Sequence, residues 1–126
     1  MQDKRPTEAE MAILGVLWDQ GPSTVRAVHA VLEPERGTGY TTVLKLLQIM
    51  FDKSLVRRDA SARSHIYEAA VERADIQDAL VTDLTHRAFD GSTASLVMRA
   101  LSPERASPDE IATIRAWLDR LEGGES

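Results

Sequence analysis

Two threonines and a lysine, spaced within one helical turn, are the residues of this sequence whose types and spacing best suit ligand binding. Thr41, Thr42 and Lys45 occur in a segment from residue 40 to 53 that has helical periodicity. At 100° per residue they share one side of the helix with Gln48 and Ile49. Hydroxyl groups near a helix N-terminus bond phosphate or base edges, and a lysine reaches guanine acceptors or phosphate. We therefore expect this face of the helix to look outward, where such groups can meet a ligand.

The opposite side of the same helix is apolar and is expected to pack against a core. It consists of Tyr40, Val43, Leu44, Leu47, Met50 and Phe51. Tyr40 is therefore predicted to face inward, and its hydroxyl is a further candidate contact to phosphate.

Basic residues continue beyond this helix, on a predicted hairpin. Residues 55–59 and 63–68 alternate in polarity, which predicts two short strands around a turn at residues 60–62. Arg57, Arg58 and Arg63 lie there, and a guanidinium grips phosphate bidentately or enters the minor groove. His65, which we place in the second strand, is more plausible as a filler or phosphate contact than as a metal ligand. At least one of the three arginines is expected to be simply solvated.

Charge is divided unevenly along the chain. The 126 residues contain 15 basic and 20 acidic ones, a net charge of -5 that by itself argues against a polyanionic partner. Residues 36–65, however, contain six basic residues against two acidic ones, a net +4. Residues 73–126 contain six arginines against ten acids, a net -4. The basic segment therefore coincides with the helix and hairpin that are candidates for DNA contact.

Several function classes lack the residues that they need. With no cysteine, disulfides, thiolate metal sites, iron–sulfur clusters and cysteine nucleophiles are excluded. His29, His65 and His86 are too far apart in sequence to indicate a metal cluster. There is no glycine-rich phosphate loop, nucleophile elbow or helical His–carboxylate pair. The sequence predicts no enzyme, no metal and no cofactor.

The same sequence predicts a cytoplasmic protein. Its N-terminal residues are polar and charged, without the apolar stretch of a signal peptide. No apolar run approaches the roughly 20 residues needed to cross a bilayer.

The order of elements in the first 72 residues predicts a winged helix-turn-helix domain. Thr7 and Glu10 form a capping-box pattern at the start of a first helix. A second helix follows a cap at Ser23 or Thr24 and is expected to end near Pro34. The helix at residues 40–53 and the basic hairpin complete the pattern of three helices and a wing.

Residues 73–126 are predicted to form three amphipathic helices that dimerise. So small a helical unit rarely supplies more than ~3–5 kcal/mol from its own core, so a second copy would bury its apolar stripes. The whole chain is thus predicted to be mainly α, with a β-hairpin wing and a C-terminal helical dimerisation region. The candidate dimer contacts are Leu80, Leu84, Leu96, Leu101, Ile114 and Leu118.

Three segments resemble the BlaI/MecI/CopY family, the penicillinase repressors. They are residues 39–48, which read GYTTVLKLLQ, and the shorter segments at residues 6–10 and 24–29. The resemblance covers nearly the whole chain and is most specific in its first 70 residues. It implies a dimeric repressor on a two-fold symmetric operator, often encoded beside a membrane-bound sensor peptidase and a resistance or envelope function. It also puts Thr41, Thr42 and Lys45 at the family's DNA-facing positions.

The chain departs from the family pattern in three ways. The copper-responsive branch uses a C-terminal cysteine motif, which this chain lacks. The branch inactivated by proteolysis is cut at an Asn–Phe pair, where this chain has Arg99 and Ala100, so cleavage at that bond is in doubt. Ile49 stands where the family commonly has arginine, so the preferred operator sequence is expected to differ.

The resulting hypothesis is a sequence-specific repressor that acts as a homodimer on operator DNA and is released by a signal from a partner sensor peptidase. The alternative is a winged-helix module that binds another protein without specific DNA binding.

Overall fold

The computed structural model describes residues 5–123. The prediction that the chain has no targeting segment rests largely on residues 1–4, which lie outside this range. Six helices and three short strands follow one another in the order α1 (Glu8–Gln20), β1 (Ser23–Thr24), α2 (Val25–Arg36), α3 (Tyr40–Asp52), β2 (Val56–Asp59), β3 (Ile66–Ala69), α4 (Arg73–Ala88), α5 (Thr93–Ala100) and α6 (Pro108–Gly123).

The start of α1 is the capping box that the sequence predicts. The Thr7 hydroxyl accepts a 3.2 Å hydrogen bond from the Glu10 amide, and the Thr7 amide donates to Oε1 of Glu10 at 2.9 Å. The helix ends at Gly21, whose φ of 83° lies in the region that favours glycine. Both ends of α1 are therefore specified locally.

Helix α2 begins at its predicted cap but ends later than expected. The Thr24 hydroxyl accepts from the Ala27 amide at 3.1 Å. The helix then continues past Pro34 to Arg36 and closes at Gly37, which adopts φ 68°. The helix thus extends two residues beyond Pro34, near which its end was predicted. Proline removes the hydrogen bond to the carbonyl four residues earlier, and Ala30 there is exposed, so water can replace the lost donor.

The wing is a three-stranded antiparallel sheet with the strand order β1–β3–β2. The central Tyr67 faces Ser23 on one side and Arg58 on the other. The two hairpin strands were predicted, whereas the two-residue β1 was not. Strand β3 begins only at Ile66, so the prediction that His65 lies in the second strand is wrong. Arg63 and His65 instead belong to the loop between β2 and β3.

A single apolar core holds α1, α2, α3 and the sheet together. Its thirteen buried residues all fall between residues 13 and 67. Trp18 ties the start of α4 to this core, because its indole Nε1 donates to the carbonyl of Val71 at 3.0 Å. The Arg73 guanidinium lies 5.2 Å from the centre of the Trp18 ring and bonds Asp19 at 2.8 Å.

The chain divides into two compact units, the first ending at Gln77 and the second beginning at Asp78. Within the described part of the second unit, Thr85 is the one buried residue, and its hydroxyl donates to the Val81 carbonyl at 2.6 Å. Ser92 caps α5, and Ser107 with Glu110 forms a capping box at the start of α6. These helices are thus well specified by their ends while their apolar faces stay largely uncovered.

Among residues 5–123, no helix is both long and apolar enough to span a membrane.

Candidate nucleic-acid interface

Helix α3 has the two faces that its sequence predicts. Val43, Leu47 and Met50 are fully buried in the core. Thr41 and Thr42 are exposed in the first turn, and so are the residues one and two turns later along the same face, Lys45, Gln48 and Ile49. The N-cap Gly39 offers no side-chain hydrogen bond to the first turn of the helix. Polar groups are therefore presented to solvent along most of the outer face, and Ile49 is its apolar member.

Lys45 is free to bind an external ligand. Among the described residues its side chain has neither a hydrogen-bond nor an ion-pair partner. Lys53, at the end of the same helix, is different, because its ammonium bonds the buried carboxylate of Glu10 at 2.8 Å. Lys45 is thus suited to recognition and Lys53 to holding the helix.

Tyr40 does not pack into the core as predicted. Its side chain is 46% exposed, because the first residue of α3 lies at the end of the core rather than over it. The ring instead contacts His29 of α2 edge-on, with centroids 5.8 Å apart and an interplanar angle of 78°. This contact holds the ring on the flank of α3. His29 was not recognised as a site-supporting residue, since the contact depends on how α2 and α3 cross.

Two of the three predicted wing arginines are oriented by neighbours. Arg57 contacts its cross-strand partner Glu68, with Nε 3.6 Å from Oε1, and donates to the Ala69 carbonyl at 3.3 Å. The Arg58 guanidinium lies 4.1 Å from the centre of the Phe51 ring. A cation held over an aromatic face keeps its edge donors available, so Arg58 can still bind phosphate.

The turn between the strands is stabilised by Asp59. Its Oδ1 accepts from the Ser61 amide at 2.9 Å. Hydrogen bonds from the Ser61 side chain and then the Ser61 amide lower the pKa of Asp59, because they favour the charged carboxylate. This carboxylate faces the turn, beside the basic loop that follows.

The loop after this turn forms one wall of a groove of about 470 Å³, here called the wing groove. Residues from α2, α3 and the loop line it, among them Arg26, Tyr40, Leu44, Arg63, Ser64 and His65. The predicted residues Tyr40, Arg63 and His65 are thus brought together. Sequence reasoning missed Arg26, whose position in the first turn of α2 was the one available signal.

Within the described residues, no group of three or more histidine or acidic side chains is arranged to hold a metal ion.

A sequence model described as penicillinase repressor matches residues 6–120, and so spans nearly all of the described chain. The chain belongs to the penicillinase repressor family. The resemblance seen in residues 6–10, 24–29 and 39–48 is therefore confirmed.

Relatives in this family match over most of their length. The chain is 34% identical to the transcriptional regulator BlaI of Mycobacterium tuberculosis over 119 residues, which are 93% of this chain and 85% of that protein. It is 21% identical to the methicillin resistance regulatory protein MecI of Mammaliicoccus sciuri over 114 residues, 90% of this chain and 93% of that one.

A solved structure confirms the fold class of this family member. The solution structure of the DNA-binding domain of the repressor BlaI superposes with a TM-score of 0.52 at 17% identity. The match covers 60% of this chain and 93% of that domain. The predicted winged helix-turn-helix architecture is therefore correct.

The six residues predicted to form a dimer contact lie on α4, α5 and α6, except Leu101, which is the C-cap residue of α5. Leu80, Leu84 and Leu118 are exposed, and the other three, Leu96, Leu101 and Ile114, are half-buried. Val81, Met98, Trp117 and Leu121 are also exposed and had not been included.

Proposed function

We propose that this chain is a sequence-specific DNA-binding transcriptional repressor that acts as a homodimer on a two-fold symmetric operator. The observation that carries the proposal is the outer face of α3. Its polar side chains are exposed, and Lys45 has no partner among the described residues. The winged helix of a penicillinase repressor family member presents this face.

In the proposed complex, α3 lies in the major groove. Thr41 and Thr42 then contact phosphate or base edges, and Lys45 reaches guanine acceptors or phosphate. The wing lies over the adjacent backbone, where four basic or ionisable side chains meet phosphate: Arg57, Arg58, Arg63 and His65. Tyr40, whose ring contacts His29, would offer its hydroxyl to a phosphate there.

The apolar surface of the second unit supports a homodimer. Leu84 is 47% exposed, and the unit buries Thr85 alone among its described residues. Apolar stripes left in water are unfavourable by about 25 cal/mol per Å², so a second copy gains stability by covering them. A two-fold dimer places its half-sites about 34–36 Å apart or a multiple of that distance, which matches a symmetric operator.

Release from DNA is proposed to follow a signal from a partner sensor peptidase, and the site of action to be the cytoplasm. Family membership supports this step. Scission between Arg99 and Ala100 has no structural support, because these residues are the last two of α5. The Arg99 carbonyl accepts from the Ser102 amide and from Arg105. A peptidase needs an extended strand, so the signal is proposed to act indirectly.

The proposal is tested by gel retardation with the DNA upstream of the protein's own gene. A specific repressor keeps its retarded band when random-sequence competitor is added in excess. Loss of the band with random and specific competitor alike would favour the alternative, a winged-helix module that binds another protein.

A second experiment tests α3 as the reading element. Lys45→Ala is expected to lower operator affinity about tenfold, since it removes a base or phosphate contact. Arg115→Ala removes an exposed cation from α6 and is the matched control, expected to leave affinity unchanged. Equal affinities and salt slopes for Lys45→Ala and the wild type would exclude α3 as the element that reads the DNA sequence.

A further inference from the structure

The wing groove combines basic side chains from separate elements. Arg26 comes from the first turn of α2, while Arg63 and His65 come from the loop between β2 and β3. Arg26 and Arg63 are exposed, and neither side chain has a partner among the described residues. Two guanidinium groups without counter-ions therefore face the same space.

The other lining groups favour an anion as well. Ser64 and Tyr40 contribute hydroxyl donors, and His65 contributes an imidazole. No residue with a carboxylate is among the described residues that line the groove. A phosphate oxygen can accept from all of these groups, and arginine matches phosphate geometry with two parallel bonds.

The groove also adjoins the outer face of α3. Tyr40 and Leu44 line it, and the residues that directly follow them, Thr41 and Lys45, are exposed on that face. If α3 lies in the major groove of DNA, the DNA strand that borders this groove would therefore pass the opening of the wing groove. The space of about 470 Å³ is larger than one phosphate group and is open, as a continuous strand requires.

We propose that the wing groove holds one backbone phosphate of the bound DNA strand, and that Arg26 is its principal ligand from α2. This inference rests on the proposed function, since it assigns a phosphate contact within the same complex. Phosphate contacts fix position and orientation but carry no sequence information. Arg26 therefore sets affinity and register, whereas α3 sets sequence preference.

The test compares Arg26→Gln with Arg36→Gln by fluorescence anisotropy. Arg36 lies at the other end of α2, about 15 Å along the helix axis, and lines a different groove with Asp19 and Glu35. Both variants lose one exposed arginine from the same helix, so they have equal effects on net charge. Thermal unfolding checks that both fold like the wild type.

Two DNA probes separate this inference from the proposed function. One is the duplex from upstream of the protein's own gene, and the other is a random-sequence duplex of equal length. Arg26→Gln is expected to weaken binding to both by the same factor, about three- to tenfold. It should also lower the slope of log affinity against log salt by about one, while Arg36→Gln leaves both quantities near the wild type.

Three results would overturn the inference. The first is equal behaviour of the two arginine variants on both probes. The second is a loss confined to one probe, which would make Arg26 a base-reading residue. The third is a loss of affinity in Arg26→Gln with an unchanged salt slope, which would show that Arg26 does not bind a phosphate. If the wild type binds both probes equally, the proposed function as a sequence-specific repressor is refuted. The random duplex still tests whether Arg26 binds a phosphate in the wing groove.

Discussion

The ammonium group of Lys53 lies 2.8 Å from Oε1 of Glu10, and this ion pair joins the end of α3 to the start of α1. The same oxygen accepts from the Thr7 amide, so the capping box of α1 and the ion pair share one acceptor. Lys53 also donates to the Arg5 carbonyl at 3.4 Å. Helix α3 is thus fixed at its C-terminal end by a polar contact that spans 43 residues of sequence.

Removing Lys53 should destabilise the first unit strongly. Glu10 is only 2% exposed, so Lys53→Met leaves a buried carboxylate without its cation. We expect a loss of about 3 kcal/mol in the free energy of unfolding, measured by urea denaturation. Asp19→Asn is the control, because it breaks an exposed ion pair with Arg73 and should cost less than about 1 kcal/mol.

The double variant Glu10→Gln with Lys53→Met separates the charge from the packing. It removes the uncompensated carboxylate and should recover part of the stability lost in Lys53→Met. A double variant no more stable than Lys53→Met would show that the unpaired carboxylate of Glu10 is not what destabilises Lys53→Met.

Tyr40 should contribute to DNA binding through its hydroxyl and not to stability. Tyr40→Phe keeps the edge contact with His29 and removes a polar group that is in solvent. The melting temperature is expected to be unchanged, and the affinity for DNA to fall about two- to tenfold, the range of one hydrogen bond. If Tyr40→Phe binds DNA as tightly as the wild type in fluorescence anisotropy, the role of Tyr40 is limited to packing on His29.

Local patterns explain why so much of the fold was predictable. The capping box at Thr7 and Glu10 uses residues three positions apart, so sequence alone specifies it. Periodicity likewise placed Val43, Leu47 and Met50 on the buried side of α3. Where the conformation depends on residues of a single segment, the amino-acid pattern of that segment is enough to predict it.

Contacts between distant segments explain what was missed. Strand β1 has two residues, too few for alternation, and exists because Ser23 pairs with Tyr67. Arg26 reaches the wing groove because of how the loop after β2 folds, which no spacing in the sequence encodes. Tyr40 was misplaced for a related reason, since a helical wheel does not show where the core ends along the helix axis.

The first unit should fold without the second. A chain ending at Gln77 keeps the bond from Trp18 to Val71 and the contacts of Arg73 with Trp18 and Asp19. We expect this fragment to be a folded monomer by light scattering, with much weaker operator binding than the full chain, because one half-site supplies the affinity of one arm. A chain ending at residue 72 loses Arg73 and should be slightly less stable. A dimeric fragment would place the dimer contact in the first unit.

Charge placed on the apolar faces of the second unit should prevent the proposed dimer from forming. The double variant Leu84→Glu with Leu118→Glu puts a carboxylate on α4 and another on α6, at positions that are exposed in one chain. Covering these carboxylates in an interface would cost several kcal/mol, so the variant should sediment as a monomer with the circular dichroism of the wild type. Thr82→Glu adds an exposed carboxylate elsewhere on α4 and should stay dimeric. A double variant that stays dimeric would exclude this face of α4 and α6 as the dimer contact.

Ile49 should limit the affinity for DNA of any sequence. It is 38% exposed on the outer face of α3, so Ile49→Arg costs little packing. The added cation should strengthen binding to random-sequence DNA about three- to tenfold and steepen the salt slope by about one, because one more counterion is released. Ile49→Gln is the uncharged control and should leave the salt slope unchanged. An unchanged slope for Ile49→Arg would place this position outside the interface.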